Sequence, residues 1–276
     1  MRRCFAHCRT AVALVLTILA SAPITRADEA DLQRTWDAAR VYLPAATSAG
    51  FVEAGVGDIG DRLDPESPPT ALIVYAHGCS GLSRITDATG RFLAQSGYAV
   101  IAPDSFARID KPKSCDPATH RGGLHRAVLG WRQDEIRNAV VQASLLWSFN
   151  ELPVVIMGHS QGAITVATIE DVPAAARIIE GWTCHAGWPE YHGLNSEPDQ
   201  PVLSLLGRDD PWFKSQVFGG DCGAFMNEDN GSRSIVYEKP GYLAGKHWLS
   251  VDRAVQKEIL EFLNRSLTTW RNKNAG

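Results

Sequence analysis

The sequence predicts an α/β fold with a mostly parallel central sheet and helices on both faces, and three observations support this class. Short apolar runs rich in strand-forming residues recur along the chain, and such runs are typical of strands buried on both faces of a parallel sheet. Stretches with helical spacing of apolar residues lie between them. A chain of 276 residues, 45% of them hydrophobic, suits one large domain. The predicted strands are 71–76, 98–102, 153–157, 201–206 and 234–237.

Four predicted helices separate or follow these strands. The first ends before Gly97, a residue type that favours helix C-termini, and the last is amphipathic, with Val255 and Ile259 on one side. Nearer the N-terminus the pattern is weaker: 32–42 looks helical, and 51–56 is predicted to be an antiparallel edge strand. The four helices are predicted at 86–96, 124–149, 161–170 and 251–270.

Residues 1–27 are predicted to form a secretory signal peptide, which leaves 28–276 as a single domain. A basic start precedes an apolar run over 11–20, and small residues follow before Asp28. This apolar run is too short to span a bilayer, and none of the other apolar runs exceeds it in length. No membrane span is therefore expected in the mature chain. An uncleaved N-terminal anchor is the alternative. The mature protein is therefore expected to be periplasmic or secreted.

The charge of the mature chain argues against one class of function, and its cysteine content favours disulfides. Residues 1–27 hold four Arg and no acidic residue, so 23 basic and 31 acidic residues remain, and a formal charge of −8 argues against nucleic-acid binding. An even number of cysteines in an oxidising compartment favours disulfides, although the residues leave three pairings, or free buried thiols, open. No CxxC unit occurs, so no metal is expected. The four remaining cysteines are Cys79, Cys115, Cys184 and Cys222.

The segment Gly158-His159-Ser160-Gln161-Gly162 matches the G-x-S-x-G pattern. It directly follows the predicted strand 153–157 and precedes a predicted helix, which is the context of a nucleophile elbow. The glycines allow a sharp turn with close backbone approach, so that Ser160 is held at the tip of the strand. Ser160 is therefore the predicted catalytic nucleophile.

A serine hydroxyl is a weak nucleophile and needs a general base, which an acid in turn orients. In the chain order serine, acid, histidine, the base is His247, which follows the predicted strand 234–237. The acid is expected after the strand 201–206, where Asp209 and Asp210 are adjacent. The spacing Gly-x-x-Asp-Pro favours Asp210, with Asp209 as the alternative.

An oxyanion hole commonly combines the N–H of the residue after the nucleophile with one from the loop after an earlier strand. Gln161 supplies the first N–H. The second is expected in the glycine-rich segment 77–81, directly after the first predicted strand, with Cys79 as the donor through its backbone.

Several of these segments together resemble the dienelactone hydrolase family. The segments are His77-Gly78-Cys79-Ser80-Gly81, Ala102-Pro103-Asp104-Ser105-Phe106 with Arg108, and those around Ser160, Asp210 and His247, and the similarity runs over about 71–265. The resemblance implies an α/β-hydrolase fold without a large cap domain, and action on small-molecule esters or lactones without a cofactor. Two departures stand out: the namesake enzymes have Cys where this chain has Ser160, and they work inside the cell.

The resemblance also suggests how loops meet above the strand ends. Cys79 and Cys115 would lie in two such loops, and Cys184 and Cys222 in loops flanking the acid, so we predict the pairs Cys79–Cys115 and Cys184–Cys222. Trp212 and Trp248 adjoin the acid and base motifs and are candidates for binding an apolar acyl group of the substrate. Arg108 is a candidate for a substrate carboxylate, with a structural salt bridge as the alternative.

These residues together predict a serine hydrolase that cleaves carboxylic esters or lactones through an acyl-enzyme on Ser160. A peptidase or an acyltransferase would use the same Ser160, Asp210 and His247. A catalytically silent binding protein on the same fold is the alternative outside the enzymes. The sequence leaves the substrate and the oligomeric state open.

Overall fold

The computed structural model describes residues 28–45, 50–113, 115–122 and 125–275. The predicted signal peptide, 1–27, lies outside the described residues. Among the described helices, none is both long and apolar enough to cross a membrane.

An eight-stranded sheet with the order β10-β9-β8-β7-β3-β4-β1-β2 forms the centre of the molecule. Its strands run parallel except β1 and β2, which are antiparallel to their neighbours at one edge. A small separate hairpin consists of β5 and β6. The strands are β1 (Arg40–Pro44), β2 (Phe51–Ala54), β3 (Leu72–Ala76), β4 (Ala99–Ala102), β5 (Cys115–Asp116), β6 (Arg121–Gly122), β7 (Val154–His159), β8 (Ala176–Glu180), β9 (Val202–Gly207) and β10 (Arg233–Tyr237).

Helices cover both faces of this sheet, as the sequence predicts. On one face α4 and α5 bury Ile136 and Val166 against β3 and β7. On the other face α3 and α6 bury Leu93 and Phe262 in a second cluster. The helices are α1 (Glu29–Asp37), α2 (Ile59–Arg62), α3 (Arg84–Gln95), α4 (Arg126–Ser144), α5 (Gln161–Thr168) and α6 (Arg253–Asn274).

The five predicted strands and the edge strand are confirmed, but one predicted helix is corrected and the sheet has one further parallel strand. The segment 32–42 is helical only to Asp37, and its last residues, 40–42, belong to β1. Trp36 and Leu43 share one buried cluster, whereas Tyr42 faces the opposite side of the sheet. The sequence pattern does not predict the strand β8, because Arg177 and Glu180 interrupt its apolar run.

The charged residues of β8 are nevertheless buried, and hydrogen bonds satisfy them. Arg177 donates from Nη1 to the carbonyl oxygens of Val166 and Ile169, at 2.9 and 2.8 Å. Glu180 accepts three hydrogen bonds from the loop that follows His247. Because buried charges persist only when they are well paired, β8 brings polar anchors into the sheet next to the nucleophile strand.

Candidate active site

Ser160 lies in a tight turn between β7 and α5. Its backbone has φ 57° and ψ −118°, a conformation that is strained for a residue with a side chain. A Cβ added at Gly158 would lie 2.2 Å from the carbonyl oxygen of Gly162, and one at Gly162 would lie 1.9 Å from that of Ala76. Both glycines are therefore required for the turn, which holds Ser160 at the N-terminus of α5.

His247 and Asp210 meet above the strands that carry them. Nδ1 of His247 lies 2.6 Å from Oδ2 of Asp210, whose side chain is almost fully buried. Because the carboxylate can only accept, Nδ1–H is the donor, and Nε2 is left as the basic nitrogen. Within the described chain, Nε2 has no hydrogen-bond partner, and His247 lines the same cleft as Ser160.

The two adjacent carboxylates after β9 have different surroundings. Oδ1 of Asp210 accepts the backbone N–H of Trp212 at 3.0 Å, which fixes the carboxylate while Oδ2 faces the imidazole. Asp209 instead forms an ion pair of 3.0 Å with Lys239, and both side chains are exposed. The structure therefore brings Asp210, and not Asp209, to His247.

Aromatic rings enclose the imidazole of His247. The indole of Trp212 stacks on it with centroids 5.2 Å apart and an interplanar angle of 28°. Phe213 and the ring of His159 contact it at 5.8 and 4.9 Å. Burial lowers the pKa of His159 to about 3, with the neighbouring His247 adding to the effect, so His159 stays neutral. Its Nε2–H donates to the backbone oxygen of His247 at 3.2 Å.

The segment 77–81 follows β3 and borders the cleft next to the elbow, as the sequence predicts. Cys79 and Gln161 both line the cleft. A disulfide joins Cys79 to Cys115, and a second joins Cys184 to Cys222, which confirms the predicted pairing. The first disulfide ties this loop to the β5–β6 hairpin.

A buried polar network supports the same loop from below. The backbone N–H of Ser105 donates to Nε2 of His77, so Nδ1–H of that ring donates to the oxygen of Gly78, at 2.7 Å. Burial and the nearby Arg132 hold the pKa of His77 well below its ordinary value. Arg132 donates to the carbonyl oxygen of His77 at 2.5 Å and to Oε1 of Gln161 at 3.4 Å. One guanidinium thus ties together the two segments that would supply the oxyanion donors.

Two cavities border Ser160. The larger, of about 320 Å³, is lined mainly by large apolar side chains. The smaller, of about 240 Å³, extends toward Gly81 and Pro117. Both share Ser160 and His247. The apolar lining of the larger cavity consists of Ile164, Trp182, Tyr191, Trp212, Phe213 and Phe218.

Of the three predicted substrate contacts, only Trp212 borders the cleft. Trp248 packs against Arg84 and donates from Nε1 to Oγ of Ser250. Arg108 is almost fully buried and forms ion pairs of 3.0 Å with Glu135 and 3.3 Å with Asp31. The prediction for Arg108 is thus corrected: the structural salt bridge is the role that the structure gives it.

Several other residues that line the cleft are not predicted from the sequence. His120 and Arg121 come from the β5–β6 hairpin, and Phe213 and Phe218 from short helical turns after Asp210. No sequence motif indicates that the hairpin borders the cleft. The predicted Cys79–Cys115 disulfide, which joins the hairpin to the proposed oxyanion loop, is the signal that could have placed it there. In the described part of the chain, no group of three His, Cys, Asp or Glu side chains is arranged to hold a metal ion.

Comparisons with known proteins give similar solved structures. The structure of a Klebsiella pneumoniae protein named as a dienelactone hydrolase matches with a TM-score of 0.54 at 14% identity, over 84% of this chain and 99% of that chain. An esterase from Pyrococcus furiosus matches with a TM-score of 0.49 at 14% identity, over 73% of this chain and 85% of that chain. No protein-family model and no curated protein matches the chain.

The protein has the α/β-hydrolase fold. At the level of fold, the resemblance carried by the sequence motifs has a counterpart in the solved structure named as a dienelactone hydrolase.

Proposed function

We propose that the protein is a serine hydrolase that cleaves carboxylic esters or lactones of small molecules. The observation that carries this proposal is the hydrogen bond between His247 and Asp210 at the mouth of the cleft that also holds Ser160. Ser160, Asp210 and His247 follow β7, β9 and β10 in the order of an α/β-hydrolase triad.

In the proposed reaction, Nε2 of His247 takes the hydroxyl proton of Ser160 as Oγ attacks the ester carbonyl carbon. The buried Asp210 stabilises the imidazolium that forms. The backbone N–H groups of Cys79 and Gln161 hold the oxyanion. The imidazolium then protonates the leaving alcohol, and a water molecule, deprotonated by His247, releases the acid from Ser160.

Because two cavities border Ser160, we assign the acyl group of the substrate to one cavity and its alcohol group to the other. The aromatic lining of the larger cavity suits an apolar, flat acyl group, because aromatic side chains bury much surface and stack on planar groups. The smaller cavity, which is bordered by Ser83 and Pro117, suits a short alcohol group. The preferred substrates are therefore aromatic or medium-chain acyl esters of small alcohols.

We further propose that the protein works in the periplasm or outside the cell. Two disulfides are compatible with an oxidising compartment, and the proposed export signal at residues 1–27 would deliver it there.

The test is hydrolysis of methyl esters of graded acyl length, followed by titration of the released acid, alongside the matching p-nitrophenyl esters, aromatic acyl esters and a peptide amide. Ser160→Ala should lower kcat by about 10³-fold or more and abolish labelling by a fluorophosphonate probe. Ser204→Ala is the matched control, because that serine is buried in β9 away from the cleft, and within the described residues its hydroxyl has no partner. Cleavage of amides alone would favour a peptidase, and absence of both labelling and hydrolysis would favour the silent binding protein.

A further inference from the structure

Glu180 ends β8 and lies between the nucleophile and the base. Its carboxylate is fully buried, and its backbone oxygen accepts the N–H of Ser160 at 2.9 Å. The next residue, Gly181, has φ +71°, and a Cβ there would lie 2.9 Å from the backbone oxygen of His247. The end of β8 therefore touches both the elbow and the residue proposed as the base.

The carboxylate of Glu180 binds the chain just beyond His247. Oε1 accepts the backbone N–H groups of Leu249 and Ser250, both at 2.6 Å, and Oε2 accepts the hydroxyl of Ser250 at 3.0 Å. None of the lysines and arginines in the described ranges forms an ion pair with it. A buried carboxylate is costly without such partners, and here all of its partners belong to the base-bearing loop.

The proposed triad does not use Glu180. Other contacts also hold the base-bearing loop, since Oγ of Ser250 lies 3.4 Å from Oγ1 of Thr89 and the backbone oxygen of Ser250 accepts a hydrogen bond from Nε2 of Gln256 at 2.9 Å. None of these contacts binds the two backbone N–H groups that Glu180 binds. Besides the Asp210 contact, the loop residue His247 is held by the hydrogen bond from His159 to its backbone oxygen. Loss of the Glu180 contacts would leave two buried N–H groups without acceptors at a distance of two and three residues from His247. A shift of about 1 Å in a catalytic group is enough to cost about 10²-fold in rate.

We infer that Glu180 is a positioning residue, which fixes the His247 loop against the nucleophile elbow. Its backbone holds Ser160 and its side chain holds Leu249 and Ser250, so one residue sets the separation of nucleophile and base. This inference rests on the proposed function, in which His247 acts as the base.

Two substitutions separate the hydrogen bonds from the charge. Glu180→Leu fills the space but removes every acceptor. Glu180→Gln keeps Oε1 as the acceptor for the two backbone N–H groups, loses the negative charge, and replaces Oε2, the acceptor of the Ser250 hydroxyl, with an amide NH2 group that can only donate. Ser250→Ala removes the hydroxyl but keeps its backbone N–H, and Ser204→Ala is again the control for deleting a buried serine hydroxyl.

We expect Glu180→Leu to lower kcat by about 30-fold or more while KM changes less than about two-fold, because the base is displaced and the cleft is not. Glu180→Gln should keep kcat within about three-fold. The acid limb of its kcat/KM profile should move to lower pH by about half a unit, because a buried negative charge near the imidazolium is lost. The other ionisable groups around His247 are Asp210 from the loop after β9, His159 from β7, and His120 and Arg121 of the β5–β6 hairpin, which line the same cleft.

A second readout does not need activity. Hydrogen exchange of the segment 247–250 should accelerate about ten-fold or more in Glu180→Leu and less than three-fold in Ser204→Ala. Wild-type kcat in a folded Glu180→Leu, or unchanged exchange in this segment, would overturn the inference. Should that variant not fold, an acid limb of the kcat/KM profile in Glu180→Gln that lies at the same pH as in wild type would overturn it instead. If the wild-type protein hydrolyses no ester, the proposed function fails, and the exchange result alone decides on Glu180.

Discussion

Removal of the Cys79–Cys115 disulfide should lower activity beyond its effect on stability, because this bond holds the proposed oxyanion loop. The second disulfide, Cys184–Cys222, is a matched control. The paired cysteines are 36 and 38 residues apart, respectively. For loops of this length, the entropy of loop closure predicts a loss of about 4 kcal/mol in the free energy of unfolding for either bond.

The two double variants, Cys79→Ala/Cys115→Ala and Cys184→Ala/Cys222→Ala, should therefore differ in kcat. Loss of one oxyanion donor costs about 10²–10³ in kcat. A loosened loop should then cost about ten-fold or more in the first variant, and less than three-fold in the second. The assay is ester hydrolysis well below the unfolding temperature of both variants, with stability measured by denaturant unfolding. Full kcat in the first variant, together with the predicted loss of stability, would refute the role of the bond in the oxyanion loop.

Two further outcomes follow from the surroundings of the imidazole. Asp210→Asn should lower kcat by about 10⁴-fold, because the amide favours the wrong imidazole tautomer, whereas Asp209→Asn should change it less than two-fold; equal losses in an ester assay would contradict the assignment of the acid. His159 has a folded-state pKa of about 3, so protonation of the unfolded chain removes stability as the pH falls below about 6.5. Between pH 7 and pH 5 this contribution amounts to about 2 kcal/mol. His159→Gln should be less pH-dependent by that amount in denaturant unfolding, and an unchanged dependence would show that His159 is not buried in the neutral form.

The sequence was sufficient for features that repeat a simple chemical pattern. The apolar runs located five of the six parallel strands, and Ser160, Asp210 and His247 were predicted from the strand that each residue follows. The choice of Asp210 over Asp209 rested on local spacing, and the structure gives its reason, because only Asp210 faces the imidazole while Asp209 pairs with Lys239.

The sequence was insufficient where burial and charge occur together. Arg177 and Glu180 prevented the prediction of β8, because a charged residue normally indicates the surface. Their hydrogen-bond partners lie on other elements, so the local sequence does not show that these charges are satisfied. For Arg108 the sequence left a substrate contact and a structural salt bridge both open, since the buried Glu135 that pairs with it lies 27 residues further along the chain. Contacts of this kind depend on the tertiary fold and leave no local pattern.

The indole of Trp212 stacks on His247, so its fluorescence is expected to depend on the state of the imidazole in the proposed active site. A protonated imidazole is a cation lying over an indole face, and this arrangement is attractive by about 0.5–1 kcal/mol or more. The charge on His247 therefore alters the electronic environment of one particular indole. Emission from Trp212 should thus report each change of the imidazole between neutral and cationic forms, without any chromophore on the substrate.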